Sequence, residues 1–457
     1  MVDKDPSSIV TSFEDDNKRV YIKSFGCQMN VYDADRMHDM FAKEGIKPSE
    51  NEANADIIIL NTCHIREKAA EKVYSELGRL RETKKFHEDS GKKIKIVVAG
   101  CVAQAEGEQL LRRQPAVDLV VGPQNYHRLV SLLKNGSRVA DIDFSLESKF
   151  DHLPLPEREN KTRALSSFVT VQEGCDKFCT FCVVPYTRGI EISRPVESVI
   201  QEVETLRDAG VKEIVLIGQN VNNYLGSDRL GRKKSLANLI EMIAAINGIE
   251  RIRYTTSHPR DMKEDLLEAH RDVPKLMPYI HMPAQSGSNP VLAAMNRAYT
   301  QKEYLEMIDK IRSYKSDVAF SSDFIVGFPG ETEADFEETL QLVKSVFYAS
   351  AYSFMYSARP GTPAADMSAQ VPEPEKRKRL LRLQNLLDEQ RFSFNSSFVG
   401  KTVDVLLEKH GRRSGQLVGK SPFMQPVHVE CTPDRLGSVV SIEILELTSN
   451  SLSGRMA

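Results

Sequence analysis

Three cysteines in the middle of the chain are spaced in a way that suits a metal cluster. Cys175, Cys179 and Cys182 fall within eight residues, directly after a short apolar run that predicts a strand. Thiolates bind soft metals, and three on one loop can ligate three irons of a [4Fe–4S] cluster. Because such a cluster usually takes four cysteines, the fourth iron stays open, which favours catalysis over a structural role. The alternative is zinc, but zinc motifs more often pair two Cys-x-x-Cys units, and no second pair or nearby His ligand exists here.

Three further cysteines are far apart in sequence but share a position, because each follows a predicted strand. Cys27, Cys63 and Cys101 are separated by 36 and 38 residues (63−27 and 101−63), and each interval equals one strand–helix–strand step. Ligands gather at the carboxyl edge of parallel sheets, so three such strands would bring three thiols together. The pattern predicts a second [4Fe–4S] cluster with an open iron; the alternative is three buried cysteines acting as small apolar residues. Cys431 has no partner and is predicted to be an ordinary residue of a C-terminal module.

These cysteines require a scaffold of parallel strands, and the hydrophobic pattern predicts an α/β protein with three domains. Residues 1–17 are predicted to be a disordered leader. Residues 18–147 alternate strands and helices and predict an open parallel α/β domain, followed by a charged, proline-containing linker over 148–164. Residues 165–391 contain six strand–helix units, which predict a partial (β/α)6 barrel, since a closed barrel has eight. Residues 393–457 contain short strands and turns that predict a small antiparallel β-barrel.

The composition is that of a globular protein with a large apolar core. Of the 457 residues, 41% are hydrophobic and 27% are charged, and the formal net charge is −3, which neither requires nor excludes a nucleic-acid partner. The N-terminus lacks a basic segment followed by an apolar stretch, and no apolar run approaches the length of a membrane span. We therefore expect a cytoplasmic protein with no membrane partner. Seven cysteines without a secretory signal favour metal or catalytic roles over disulfides.

The Cys-x-x-x-Cys-x-x-Cys motif resembles that of the radical S-adenosylmethionine superfamily. In that superfamily the open iron chelates the methionine part of the cofactor, and one-electron reduction releases a 5′-deoxyadenosyl radical. The resemblance implies that Phe181, directly before the third cysteine, packs near the adenine. Further cofactor contacts are expected where barrel strands end, because barrels of this kind build their sites there. These candidates are Gly218, Gln219, Asn220, Ser257, His258, Gln285 and Gly327. For each of them the alternative is an ordinary turn or a helix cap.

From about Arg19 to its end the chain also resembles the methylthiotransferases, which convert C–H to C–S–CH₃. The resemblance implies two molecules of S-adenosylmethionine, one as methyl donor and one as radical source, and sulfur held at an auxiliary cluster. It implies a C-terminal TRAM domain, a substrate-binding module of RNA-modifying enzymes. It further implies a monomer that takes electrons from a flavodoxin- or ferredoxin-type donor, with a sulfur donor as a candidate partner.

This family has three branches that differ in substrate, and each branch is a candidate for this chain. One modifies N6-isopentenyladenosine at position 37 of tRNA, a second modifies threonylcarbamoyladenosine in tRNA, and a third modifies an aspartate of a ribosomal protein. Four segments resemble the first branch: 61–69, 179–189, 281–289 and 356–364. We therefore expect a transferase that makes the 2-methylthio derivative of N6-isopentenyladenosine. A hypothesis of another class is a non-catalytic iron–sulfur protein that binds RNA, against which the open iron and the barrel argue.

A tRNA anticodon loop offers unpaired bases that can leave the stack, and its phosphates need cationic partners. Candidate substrate contacts lie near strand ends and in the C-terminal module: Arg188, Arg194, His281, Arg359, Lys409, Arg412 and Arg413. Lys420 and the cationic run 376–379 are expected to support them, although a solvated helix face is an equal alternative for that run. From residue 393 onward the chain has seven Lys and Arg against six Asp and Glu, a net of +1 (7−6). The expectation of RNA binding thus rests more on the resemblance than on charge.

Overall fold

The structure is a computed structural model that describes residues 18–64, 69–144, 149–154 and 164–457. The leader predicted for residues 1–17, and most of the linker predicted for 148–164, lie outside these ranges. The chain forms two compact units: an N-terminal unit up to residue 156 that also includes Tyr186–Gly189, and a second unit with the remaining residues. Within the described ranges, no helix combines the length and the apolar character needed to cross a membrane.

The N-terminal unit is built on a six-stranded parallel sheet with the strand order β2-β1-β3-β4-β5-β6. Its elements are β1 (Arg19–Ser24), α1 (Gln28–Lys43), β2 (Lys47–Pro48), β3 (Ile57–Thr62), α2 (Ala69–Asp89), β4 (Lys95–Gly100), α3 (Cys101–Glu106), α4 (Glu108–Arg113), β5 (Leu119–Val121), α5 (Leu129–Asn135) and β6 (Val139–Asp141). The predicted open parallel α/β domain is confirmed.

Both faces of this sheet are covered, which explains why its central strands are almost continuously apolar. Along β3, Ile57 and Ile59 belong to one apolar cluster, and Ile58 and Leu60 belong to another on the opposite face. Neighbouring β1, β3 and β4 run parallel, so their carboxyl ends lie at one edge of the sheet. The three separate cysteines lie at that edge: Cys63 and Cys101 directly follow β3 and β4, and Cys27 is three residues beyond the end of β1 (27−24).

Part of the segment predicted as a linker packs in the N-terminal unit. Lys149 is fully buried and lies 3.2 Å from the Asp33 carboxylate, and its ammonium also donates to the Pro123 carbonyl at 3.0 Å. The Arg36 guanidinium donates to the Pro154 carbonyl. Because a buried lysine is stable only when it is paired, residues 149–154 are held in place rather than free to act as a spacer.

The second unit contains the predicted partial barrel, and its six strands form two three-stranded parallel sheets, β7-β10-β13 and β14-β15-β16. Its elements are β7 (Ser166–Thr170), β8 (Gln172–Glu173), α6 (Val184–Arg188), β9 (Ile192–Ser193), α7 (Val196–Asp208), β10 (Glu213–Ile217), β11 (Leu225–Ser227), β12 (Lys233–Ser235), α8 (Leu236–Ala244), β13 (Arg251–Tyr254), α9 (Glu264–Asp272), β14 (Tyr279–His281), α10 (Asn289–Ala294), α11 (Gln301–Tyr314), β15 (Ala319–Val326), α12 (Glu333–Val346), β16 (Ser350–Met355) and α13 (Glu373–Ser396). The last residues of α6 pack in the N-terminal unit. The prediction of six barrel strands is confirmed.

The C-terminal module is a closed five-stranded barrel with the order β17-β18-β19-β21-β20. Its strands are β17 (Thr402–His410), β18 (Gln416–Lys420), β19 (Pro426–Glu430), β20 (Val439–Leu447) and β21 (Leu452–Met456). The small barrel is confirmed, but the pairing of β19 with β21 is parallel, whereas the other four pairings are antiparallel. Cys431 packs against the apolar core of this barrel, as predicted for an ordinary residue of the module.

Two buried arginines join this barrel to the base of the central one. Arg251 donates to the carbonyls of Lys420 and Asp404, at 2.7 and 2.8 Å. Arg253 donates to the carbonyls of Ser421 and Pro422 and forms a buried ion pair with Glu213 at 2.8 Å. The C-terminal barrel is thus anchored at the amino ends of the barrel strands, opposite the edge at which sites are built.

Candidate metal centres

The loop after β8 places Cys175, Cys179 and Cys182 close enough for their charges to interact. Burial raises the pKa of Cys175 to about 11 and that of Cys182 to about 12, and the nearby Cys179 raises both further. The thiols therefore remain protonated near neutral pH unless a cation replaces their protons, and binding of a metal cluster would release those protons. This donor set of three close thiols fits one face of an iron–sulfur cube.

The end of α10 holds this loop. The Thr180 amide and hydroxyl donate to the carbonyls of Met295 and Ala294, at 3.1 and 2.8 Å. The Asn296 side chain donates to the carbonyls of Lys177 and Phe178. The shape of the cysteine loop is therefore fixed by a segment more than 100 residues later in the chain.

Two residues that sequence reasoning did not identify complete the support of the loop. Gln172 is fully buried; its amide donates to the Gly174 carbonyl at 2.6 Å, and its carbonyl oxygen accepts from the amides of Gln219 and Asn220. Arg297 is buried and donates to the Cys179 thiol at 3.4 Å, as well as to the Pro283 carbonyl. Neither residue belongs to a motif, and Gln219 and Asn220 are distant in sequence from Gln172, as Cys179 is from Arg297, so no pattern indicated them.

Arg297→Ala is expected to lower the free energy of unfolding of the cluster-free protein by about 2–4 kcal/mol, because the Pro283 carbonyl loses a charged donor inside the fold. Urea unfolding measures this change, and electron paramagnetic resonance of the reconstituted protein reports the cluster at Cys179. The matched control is Arg377→Ala, since Arg377 is exposed on α13 and pairs with Glu373 at 3.6 Å. Equal stability of both variants would contradict the role given to Arg297.

The predicted cofactor residues lie around the top of the barrel, and two of them carry buried polar atoms without a hydrogen bond. These are the Asn220 side-chain oxygen and the Ser257 hydroxyl. Buried polar atoms of proteins are nearly always paired, so unpaired ones at a strand end point to a ligand. His258 is buried, which lowers its pKa to about 2, and its ring packs edge-on against Tyr299. Gln285 is buried with a φ of +68°, a strained conformation that clusters at functional sites.

Other predicted cofactor residues have partners inside the protein. Gln219 accepts from the Gly174 amide at 2.7 Å, so it positions the cysteine loop. A side chain at Gly218 would meet the Gln172 carbonyl at 2.6 Å, and one at Gly327 would meet the Lys376 side chain. The glycines thus make room for neighbouring protein atoms, and their contact with the cofactor stays a prediction. Phe181 packs beside an apolar cluster that includes Met295 and Phe328.

The three separate cysteines meet at the carboxyl edge of the N-terminal sheet. A hydrogen bond with Cys63, together with burial, raises the pKa of Cys27. Burial also raises the pKa of Cys101, and the charge of Cys27 adds to that effect. Gly26 has a φ of +95°, and a side chain there would meet the Cys63 sulfur at 2.7 Å, so only glycine allows this approach. The donor set is again three close thiols.

Arg188 belongs to this second site. It is buried, and its guanidinium donates to the Asp33 carboxylate at 2.9 Å and to the Asn30 side chain at 3.2 Å. The Cys27 thiol donates to the same Asn30 oxygen at 3.5 Å, and the positive charge of Arg188 lowers the pKa of Cys101 against the effect of burial. Arg194 is also buried, with Glu202 as its partner at 2.8 Å. A guanidinium that is buried and paired is not placed to receive an RNA phosphate, which corrects the expectation for both arginines.

The remaining candidate substrate residues are more open. His281 is partly buried, with Nδ1 2.8 Å from the Ser321 hydroxyl and Nε2 3.4 Å from Asp323. Arg359 is partly exposed in the loop after β16. Lys409, Arg412 and Arg413 are exposed and surround His428, whose pKa is lowered by burial and by these three charges. They form a basic patch on the C-terminal barrel.

Lys376 and Arg379 of the cationic run 376–379, and Lys420, have partners within the protein and do not extend this patch. The Lys376 ammonium donates to the Tyr356 carbonyl at 3.0 Å, and Arg379 pairs with Glu331 at 2.8 Å; both side chains are buried. Lys420 lies 3.3 Å from Glu408. The expectation that Lys376 and Arg379 engage phosphates is therefore corrected, because these two side chains are buried and paired, whereas Arg377 and Lys378 of the same run are exposed.

Neither thiol set is arranged as ligands of one metal ion would be. Across the described ranges, no group of three His, Cys, Asp or Glu side chains is so gathered. The match to a cluster therefore rests on the kind and number of donors at each site.

Comparison with known proteins matches three segments of the chain to family models. Residues 19–122 match the Uncharacterized protein family UPF0004, residues 169–343 match the Radical SAM superfamily, and residues 396–457 match the TRAM domain. The superfamily match implies one [4Fe–4S] cluster and S-adenosylmethionine.

One curated relative is similar over nearly its whole length. The tRNA-2-methylthio-N(6)-dimethylallyladenosine synthase of Agrobacterium fabrum (strain C58 / ATCC 33970) is 55% identical over 445 residues, which cover 96% of this chain and 98% of the relative.

Solved structures share the fold at low sequence identity. The cobalamin-dependent S-adenosylmethionine radical enzyme OxsB aligns with a TM-score of 0.53 and 16% identity, over 81% of this chain but only 56% of that one. This chain thus spans a little over half of OxsB. The radical S-adenosylmethionine methyltransferase TsrM from Kitasatospora setae aligns with a TM-score of 0.56 and 13% identity, over 76% of this chain and 75% of that one.

Proposed function

We propose that this chain, which belongs to the tRNA-2-methylthio-N(6)-dimethylallyladenosine synthase family, converts N6-isopentenyladenosine at position 37 of tRNA to its 2-methylthio derivative. The observation that carries the proposal is the presence of two three-thiol sites, one at the carboxyl ends of the parallel strands β1, β3 and β4 and one in the loop after β8, in a chain so similar to a named synthase. An electron carrier would need no barrel with unpaired polar groups at its top.

The six cysteines would form two cluster sites with different roles. Cys175, Cys179 and Cys182 would hold the cluster of the radical site, and Cys27, Cys63 and Cys101 would hold a second [4Fe–4S] cluster. When bound, these groups supply reductive cleavage of S-adenosylmethionine and a place for sulfur, respectively. Asn220 and Ser257, with their unpaired buried atoms, are positioned to orient the cofactor.

The same proposal includes the partners. The basic patch of Lys409, Arg412 and Arg413 supports an RNA ligand, because exposed cations attract phosphates. Arg359, at the top of the barrel, is a further phosphate contact. The proposal also includes a flavodoxin- or ferredoxin-type electron donor, a sulfur donor and a monomeric state of the enzyme.

Mass spectrometry of tRNA nucleosides tests the proposal. Anaerobically reconstituted enzyme, incubated with reductant, S-adenosylmethionine and tRNA that carries N6-isopentenyladenosine, is expected to yield the 2-methylthio nucleoside. Parallel reactions contain tRNA with threonylcarbamoyladenosine, or ribosomal protein as the substrate. Product only in one of these parallel reactions would reject the proposed substrate, and absence of 5′-deoxyadenosine would reject a radical enzyme.

A further inference from the structure

The inner face of the sheet β14-β15-β16 is identified by the alternation of its side chains. Phe320 and Phe324 of β15 belong to the core shared with the surrounding helices. Successive residues of a strand point to opposite faces, so Ser321, Asp323 and Ile325 face the barrel interior.

The neighbouring strands extend this inner face. Asp323 is in register with Tyr352, and Ile325 with Phe354, and residues in register on parallel strands share a face. His281 is in register with Ser321 and so lies beside Asp323. We call Asp323, Tyr352 and Phe354 the lumen wall.

The base of this interior is closed, whereas the lumen wall is open. At the base, the Tyr279 hydroxyl lies 2.8 Å from the Ser350 hydroxyl, and the C-terminal barrel covers the strand starts through Arg251 and Arg253. Higher up, Tyr352 is 61% exposed and Phe354 is 47% exposed. Two large aromatic rings exposed side by side within a barrel indicate a binding surface rather than core.

The charge of the lumen wall indicates which chemical group of an RNA would bind there. The Asp323 side chain is 30% exposed, with His281 as its neighbour at 3.4 Å. A carboxylate repels phosphate but accepts hydrogen bonds from the amino groups of bases. Aromatic rings stack on unpaired bases, which enzymes extrude in order to reach their atoms. A protein aspartate, by contrast, would meet a like charge here.

We propose that the lumen wall binds the extruded adenine, with Asp323 accepting from its N6–H and with Tyr352 and Phe354 packing on the base and its apolar N6 substituent. This inference rests on the proposed function and names the residues that recognise its substrate. It assigns the specificity for a neutral nucleobase to the second half of the barrel.

Binding of an anticodon stem-loop RNA tests the role of Asp323. The probes are one RNA with N6-isopentenyladenosine at position 37 and one with an additional methyl group on N6, which removes the N6–H. Wild-type affinity is expected to fall roughly tenfold or more when the N6–H is lost, as for a hydrogen bond to a charged group. Asp323→Ala should show a similar loss with the first RNA and little further loss with the second. If the losses of affinity caused by Asp323→Ala and by the extra methyl group were additive, the proposed hydrogen bond would be rejected.

The aromatic part is tested with Tyr352→Ala and Phe354→Ala. Wild type is expected to prefer the isopentenyl RNA over the same RNA with plain adenine, and each variant should lose most of that preference. Matched controls are Asp317→Ala and Phe392→Ala, which remove an exposed aspartate and an exposed phenylalanine elsewhere. An unchanged preference in both wall variants would overturn the inference. Because binding rather than turnover is measured, N6–H-dependent binding without product would reject the proposed function and leave this inference standing.

Discussion

Replacing Cys27, Cys63 and Cys101 together by Ala is expected to abolish the methylthio product while 5′-deoxyadenosine is still formed from S-adenosylmethionine. The reason is that these thiols lie in the N-terminal unit, whereas the loop of Cys175, Cys179 and Cys182 is supported within the second unit by Gln172 and Arg297. Iron content after anaerobic reconstitution should fall from about eight to about four atoms per chain, since one of two cubane clusters is lost. Iron analysis, nucleoside mass spectrometry and quantification of 5′-deoxyadenosine measure the three quantities.

The seventh cysteine provides the control. Cys431 packs against the C-terminal barrel, so Cys431→Ala should keep both the iron content and the product. Wild-type protein with only about four irons, or a triple variant that still makes the methylthio nucleoside, would show that the N-terminal cysteines hold no sulfur-supplying cluster.

The positions of the cysteines were predictable because they depend on local pattern. Each lies just after an apolar run long enough to be a strand, and the carboxyl ends of parallel strands lie together at one edge of a sheet. For the same reason the six barrel strands and the N-terminal sheet agree with their predictions. The strand Leu452–Met456 is not predictable from its sequence, LSGRM, because it contains a glycine and a serine and too few apolar residues to alternate.

The roles of charged residues were less predictable because burial does not follow from sequence position. Arg188 and Arg194 lie close to strand ends, as an RNA contact would, yet each is buried against a carboxylate from another element. Arg297 is 118 residues from Cys179 (297−179), and nothing near it indicates a thiol partner. Pairings of this kind depend on the tertiary fold, so a single sequence does not encode them as a motif.

Arg253→Ala is expected to lower the free energy of unfolding by about 3–5 kcal/mol, because it leaves the buried Glu213 carboxylate without its ion-pair partner. It also removes the donors for the Ser421 and Pro422 carbonyls, so the C-terminal barrel should become more sensitive to proteolysis. Chemical denaturation and limited proteolysis measure the two effects. Since the basic patch lies on that barrel, affinity for tRNA should fall as well.

The pH dependence gives this prediction a second test. Burial by itself would raise the pKa of Glu213, but Arg253, with smaller contributions from Lys420 and the Ser166 hydroxyl, more than offsets burial and holds the pKa below its usual value. A carboxyl with a lowered folded-state pKa stabilises the fold above its unfolded pKa, about 4.3, and this stabilisation is lost as the pH falls through the folded-state pKa. In Arg253→Ala the lowering by Arg253 is lost and only Lys420 and the Ser166 hydroxyl oppose burial, so the pKa should rise and the carboxyl should stabilise the fold less at neutral pH. The control is Arg455→Ala, whose exposed pair with Glu443 should contribute less than about 1 kcal/mol. A loss of stability in Arg253→Ala no larger than that of the control would mean that the ion pair does not anchor the barrel.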